Sequence, residues 1–156
     1  MKLSIKNAKF TEFIQISVQT QQEYKSYLRK RLKEVDIDLS FETFQVLMIL
    51  WEEDGVNQQV LADCLHKDKA TLTYLLDNLC KKGFVRRKED PTDRRNKLIF
   101  LTKKGTEIQD RVLPLMTNLL ENASRDISAD ELDMALQLCK KVHLNLGFID
   151  NVEHRK

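Results

Sequence analysis

Residues 57 to 83 constrain this chain more than any other stretch, because two capped helical periods follow one another with room for only a tight turn between them. Asn57 is a good N-cap for a short helix whose inner face is Val60, Leu61 and Leu65, with His66 and Lys67 closing it. Asp68 caps the next helix at once. There Leu72, Leu75, Leu76 and Leu79 share one face, so Ala70, Thr73, Tyr74, Asp77 and Lys81 point away from the core, with Asn78 to one side. Gly83 suits a left-handed C-cap that brings Phe84 to Leu79. Two helices joined in this way can place the second in a DNA major groove.

The flanking segments supply what such a pair packs against. From Phe10 to Val35, the positions Phe10, Ile14, Ser17, Tyr24, Leu28, Leu32 and Val35 recur at helical steps, which predicts one long helix whose first half packs against a second chain. Ser40 caps a second helix, with Leu39 stapled to Phe44 and a buried side of Phe44, Leu47, Met48 and Trp51, ending near Asp54-Gly55. Phe84 to Lys88 and Lys97 to Leu101 read as the strands of a hairpin with a long, basic tip. Thr102 caps a helix carrying Ile108, Val112, Leu115, Met116, Leu119 and Leu120, which Pro114 is expected to kink. Ser128 and Glu131 form a capping box for a last helix bearing Leu132, Leu136, Cys139, Val142 and Leu146, with Gly147 ending it and a loose tail after Asp150. The fold class is therefore mainly α with a small β-hairpin wing, a winged helix-turn-helix with long terminal helices.

Charge singles out the same region. Residues 81 to 104 hold ten Lys or Arg against Glu89, Asp90 and Asp93, a local net charge of +7 that leaves −5 on the rest of a chain totalling +2. Such asymmetry suits an anionic partner for one segment, and nucleic acid leads. The basic run taken alone also fits an ordinary solvated face, as Tyr74 fits an amphipathic side chain resting on its helix. No run approaches a bilayer-spanning length and no secretory signal is visible, so the expectation is a cytoplasmic protein without a membrane partner.

The motifs resemble those of the MarR (multiple antibiotic resistance regulator) family over nearly the whole chain. The resemblance runs through Phe44-Gln45-Val46-Leu47, Asn57-Gln58-Gln59-Val60-Leu61-Ala62, Asp68-Lys69-Ala70-Thr71-Leu72-Thr73 and Leu79 to Arg87. Its most specific part is Asp90-Pro91-Thr92-Asp93-Arg94-Arg95-Asn96-Lys97 followed by Leu101-Thr102-Lys103-Lys104-Gly105, similar to the family's wing signature. The resemblance implies one domain over 1–156, with a DNA-binding lobe at 37–102 and dimerisation helices at 8–36 and 103–148. It also implies a homodimer on a palindromic operator, with recognition helices in successive major grooves and wings in flanking minor grooves. Regulation would be repression, relieved when a small-molecule effector binds between lobe and dimer helices.

Carried over residue by residue, the DNA-facing set is Lys69, Ala70, Thr71, Thr73, Tyr74 and Asn78, with Arg87, Lys88, Arg94, Arg95 and Lys97 from the hairpin. Arg95 is placed for a narrow minor groove, Asp93 for holding it through an ion pair, and Arg87, Lys88, Arg94 and Lys97 for phosphates. Ala70 and Tyr74 stand where the family often has Ser and Arg, which points to a different operator. The oxidation-sensing branch of that family places its reactive Cys in the first helix, where this chain has none, so the resemblance does not extend to that branch. Cys64, Cys80 and Cys139 are widely spaced and His66, His143 and His154 do not cluster, so no cofactor or metal is expected. Catalytic motifs are missing as well, and the expectation is a non-enzyme. The alternative is a helical protein-interaction module on a winged-helix fold without DNA binding.

Overall fold

The computed structural model describes residues 4–91, 93 and 96–153, with side chains up to Gly147. The chain forms two compact units, Met1–Leu119 and Leu120–Lys156. In order, the elements are α1 (Ile5–Glu34), α2 (Phe41–Glu52), β1 (Val56–Asn57), α3 (Gln58–Cys64), α4 (Lys69–Lys81), β2 (Val85–Glu89), β3 (Lys97–Leu101), α5 (Lys103–Ala123) and α6 (Ala129–Glu153). The mainly α, winged architecture expected from the sequence is thus found.

The core of the first unit gathers Leu28 and Leu32 of α1, Phe44, Val46, Leu47 and Leu50 of α2, Leu61 of α3 and the four leucines of α4. Ile99 of β3 and Val112 of α5 complete it, both fully buried. Two assignments need correction. Met48 is 38% exposed, because the buried arc of α2 is centred on Thr43, Leu47 and Leu50 and Met48 lies beyond its edge. Val60 is 48% exposed, because α3 turns Leu61 and Ala62 inward and its half-buried Gln58 and Leu65 complete that stripe at helical spacing.

The sheet has the order β1-β3-β2 and is antiparallel throughout. Arg87 and Val56 flank Ile99 from either side, so the short β1, which the sequence did not suggest, ties the entrance of α3 to the wing. Strand β2 starts one residue later than expected because the Phe84 amide is spent on α4. Gly83, at φ +76°, donates to the Cys80 carbonyl and Phe84 donates to the Leu79 carbonyl, closing the helix with two otherwise orphaned carbonyls satisfied.

Thr102 then joins wing to α5. Its hydroxyl donates to the Gly83 carbonyl at 2.6 Å and accepts from the Gly105 amide at 3.1 Å. Gly105 is buried so closely that an added Cβ would overlap the Phe84 carbonyl oxygen, and its own carbonyl accepts from the Trp51 indole at 2.9 Å. In the second unit, the Ser128 and Glu131 capping box forms as expected. The helix passes through Gly147 to Glu153, contrary to the expected stop and loose tail. A lone glycine weakens a helix by only about 1 kcal/mol and, with no proline behind it, does not end one.

Candidate nucleic-acid interface

Helix α4 is positioned from both ends. Asp68 accepts from the Thr71 amide at 2.8 Å and the Thr71 hydroxyl at 2.6 Å, and these bonds hold its carboxyl below the usual aspartate range. The leucine face is buried, which leaves Lys69, Ala70, Thr71 and Tyr74 exposed and Thr73 and Asn78 half-buried. Tyr74 is 67% exposed. All six residues assigned to this helix therefore lie along the accessible side.

Thr73 is a junction. Its hydroxyl donates to the Lys69 carbonyl at 2.8 Å and accepts from Gln58 Nε2 at 3.0 Å. Its carbonyl accepts from Arg87 Nη2 at 3.4 Å. Arg87 also pairs with Asp77 at 2.5 Å, so a strand β2 cation grips one turn of α4. Neither Gln58 nor Asp77 was assigned a role from the sequence. Both bonds link residues ten or more apart, and only the inward phase of Gln58 on α3 could have signalled its part.

The wing supplies the remaining charge. Lys88 is exposed, and Lys97 is half-buried and paired with Glu89 at 2.9 Å across the hairpin. Arg86 lies over the Phe100 ring, 5.1 Å from its centroid, which holds another cation on the strand surface. Asp93 is exposed, and its carbonyl accepts from the Asn96 amide at 2.9 Å, shaping the hairpin loop. Arg94 and Arg95, the expected phosphate and minor-groove contacts, lie outside the described residues. So does Thr92 of the wing motif.

A small cleft of about 110 Å³ opens among Asn57, Gln58, Lys69, Asn96 and Lys97, where the starts of α3 and α4 meet the wing. Two cations and several amide groups thus converge on the side that α4 exposes. Cys80 is half-buried beside this surface and burial pushes its thiol up, the opposite of what a reactive thiolate requires. Among the described residues no group of His, Cys, Asp or Glu is arranged to hold a metal ion, and no helix is long and apolar enough to cross a membrane. The geometry can therefore present a helix edge and a basic hairpin together to a polyanion.

Comparison with known proteins bears on that surface. The sequence profile of the MarR family matches residues 39–97, the span from α2 to the wing. The HTH-type transcriptional regulator SarZ of Staphylococcus haemolyticus is 34% identical over 122 residues, covering 78% of each chain. The transcriptional regulator HosA of Escherichia coli O111:H- is 29% identical over 105 residues, covering 67% of this chain and 78% of its own. Among solved structures, a mutant MarR from E. coli complexed with operator DNA is similar with a TM-score of 0.76 at 26% identity, covering 90% of this chain and 99% of that one. A MarR transcriptional regulator from Methanosarcina mazei Go1 is similar with a TM-score of 0.71 at 27% identity, covering 88% and 99%.

Proposed function

The chain belongs to the MarR family and is a DNA-binding transcriptional regulator, and from that premise we propose that it acts as a homodimeric, sequence-specific repressor on a palindromic operator. The observation that carries the reading is that α4 and the wing are accessible together: uncharged groups on Thr73 and Tyr74 and the cations Lys69, Lys88 and Lys97 all reach solvent, and Lys69 and Lys97 line one cleft. Phosphate contacts give affinity and register, and base contacts from α4 give sequence preference. Arg95 reads the minor groove from the wing tip with Asp93 as its support.

The homodimer draws support from apolar surface within each unit. Phe10 and Ile14 of α1 are exposed, as are Leu132, Leu136 and Leu146 of α6. Uncovered leucine and phenylalanine in such numbers favour burial against a second copy. The protein works in the cytoplasm, without enzymatic activity or membrane partner. A small-molecule effector that favours one separation of the two recognition helices over another would release DNA, since only differential affinity shifts the equilibrium.

Selection of bound sequences from random DNA tests the reading. We expect an inverted repeat with half-site centres about one helical turn apart, or a multiple of it. Arg95→Ala is expected to weaken binding to that site while leaving helicity and dimerisation unchanged. Recovery of no common sequence would instead favour the protein-interaction module.

A further inference from the structure

Thr73 lies on the accessible side of α4, yet its hydroxyl is already committed inside the protein. The single hydroxyl proton goes to the Lys69 carbonyl of the preceding turn, at 2.8 Å. The oxygen in turn accepts from the Gln58 amide group, at 3.0 Å. Because the hydroxyl has one proton only, the Gln58 contact requires that its Nε2 be the donor, and the two bonds are mutually consistent. Thr73 therefore has no proton to offer to guanine O6 or N7, or to thymine O4, which are acceptors of the major groove. The γ-methyl is the group of the side chain that takes no part in these bonds, and the C5-methyl of thymine is the apolar group that the major groove presents.

From this we infer that Thr73 reads thymine through its methyl group and that Gln58 is the positioning residue that holds it in that pose. The inference rests on α4 being the helix that enters the major groove. Gln58 suits the role because it fills the inward position of α3, in register with Leu61, Ala62 and Leu65, where a polar side chain is kept only with a partner. Arg87 secures the same residue by its carbonyl, so that side chain and backbone of Thr73 are fixed by two different elements.

The test uses the full-length protein and its selected site, with each thymine replaced in turn by deoxyuridine, which removes only the methyl. At one symmetry-related pair of thymines, the replacement should weaken wild-type binding about fourfold per half-site, the worth of one buried methyl. Thr73→Val keeps the methyl without the hydroxyl and, because valine in a helix is held in one rotamer by its own branching where threonine divides between two, should keep that thymine-to-uracil ratio without help from Gln58. Thr73→Ser keeps the hydroxyl without the methyl and should bring the ratio close to one. Gln58→Leu, similar in size and favourable in a helix, should also lower the ratio, whereas a merely structural loss would weaken thymine and uracil sites alike. A ratio near one for wild type at every thymine overturns the inference, as does a Thr73→Val protein that loses the ratio. An unchanged ratio in Gln58→Leu overturns the role of Gln58. Failure of the wild type to select any sequence would refute the DNA-binding reading itself, a separable result.

Discussion

Replacing Gly105 by Ala should destabilise the fold although alanine is the better helix former. Gly105 sits in the first turn of α5 and faces the end of α4, where a Cβ would overlap the Phe84 carbonyl oxygen and lie 3.0 Å from the carbon that bears it. The obstacle is backbone that already accepts the Thr102 amide at 3.0 Å, so relief requires the start of α5 to move. That movement loosens one backbone hydrogen bond, worth about 1 kcal/mol, and the Thr102 cap, worth about 1 kcal/mol. Overpacking adds about 1–3 kcal/mol, against a gain of about 1 kcal/mol in helix propensity. The net loss is about 2–4 kcal/mol, or roughly 4–16 °C in Tm for a chain of this size. Thermal unfolding followed by circular dichroism, with the urea midpoint as a second measure, reads it directly. Gly147→Ala serves as the control, since among the described residues none outside its own stretch of helix lies within 4 Å of the added Cβ and the same substitution there should raise Tm slightly. A Gly105→Ala protein that melts within about 2 °C of wild type would refute the close-approach argument.

Three further outcomes follow from the same geometry. Arg87→Ala should weaken DNA binding more than Lys88→Ala despite the equal charge change, because Arg87 also ties β2 to Asp77 and Thr73; equal losses in a titration would show that only charge matters. The folded pKa of Asp68 is depressed, so its contribution to stability is present above the ordinary aspartate range, near pH 3.9, and is lost as pH falls through the lower folded value. Asp68→Asn retains the cap without that titration and should flatten the fall in Tm below about pH 4; an unchanged acid profile would assign the loss elsewhere. Trp51→Phe removes the indole donor to the Gly105 carbonyl and should cost about 1 kcal/mol in urea unfolding, whereas a neutral result would mean that water replaces it.

What could be read from the sequence was what local chemistry decides. Ser40, Asn57, Asp68 and Ser128 each cap the helix that their type and position suggested, and Gly83 takes the left-handed conformation that ends α4. The leucine face of α4 follows from spacing alone, and with it the exposed side. Long-range geometry was hidden. The phase of the seven-residue α3 was misjudged because a polar residue, Gln58, holds one of its inward positions and Val60 faces out. The two-residue β1 has no periodicity to detect and exists through its pairing with β3. The partners of Arg87 and Thr73 are set by how the wing and α3 lie on α4, and that of Lys97 by the hairpin register, so a count of charges cannot show that Arg87 and Lys97 are paired.

If α4 and the wing form a phosphate-neutralising, base-reading surface, affinity for the selected site must fall steeply as salt rises. Lys88 and Arg94 alone give about four contacts per dimer, and Arg87 and Lys97 raise this to about eight if their ion pairs exchange for phosphates, so log K should fall with log salt at a slope between about −4 and −7. A slope near zero would mean that these cations do not meet phosphates.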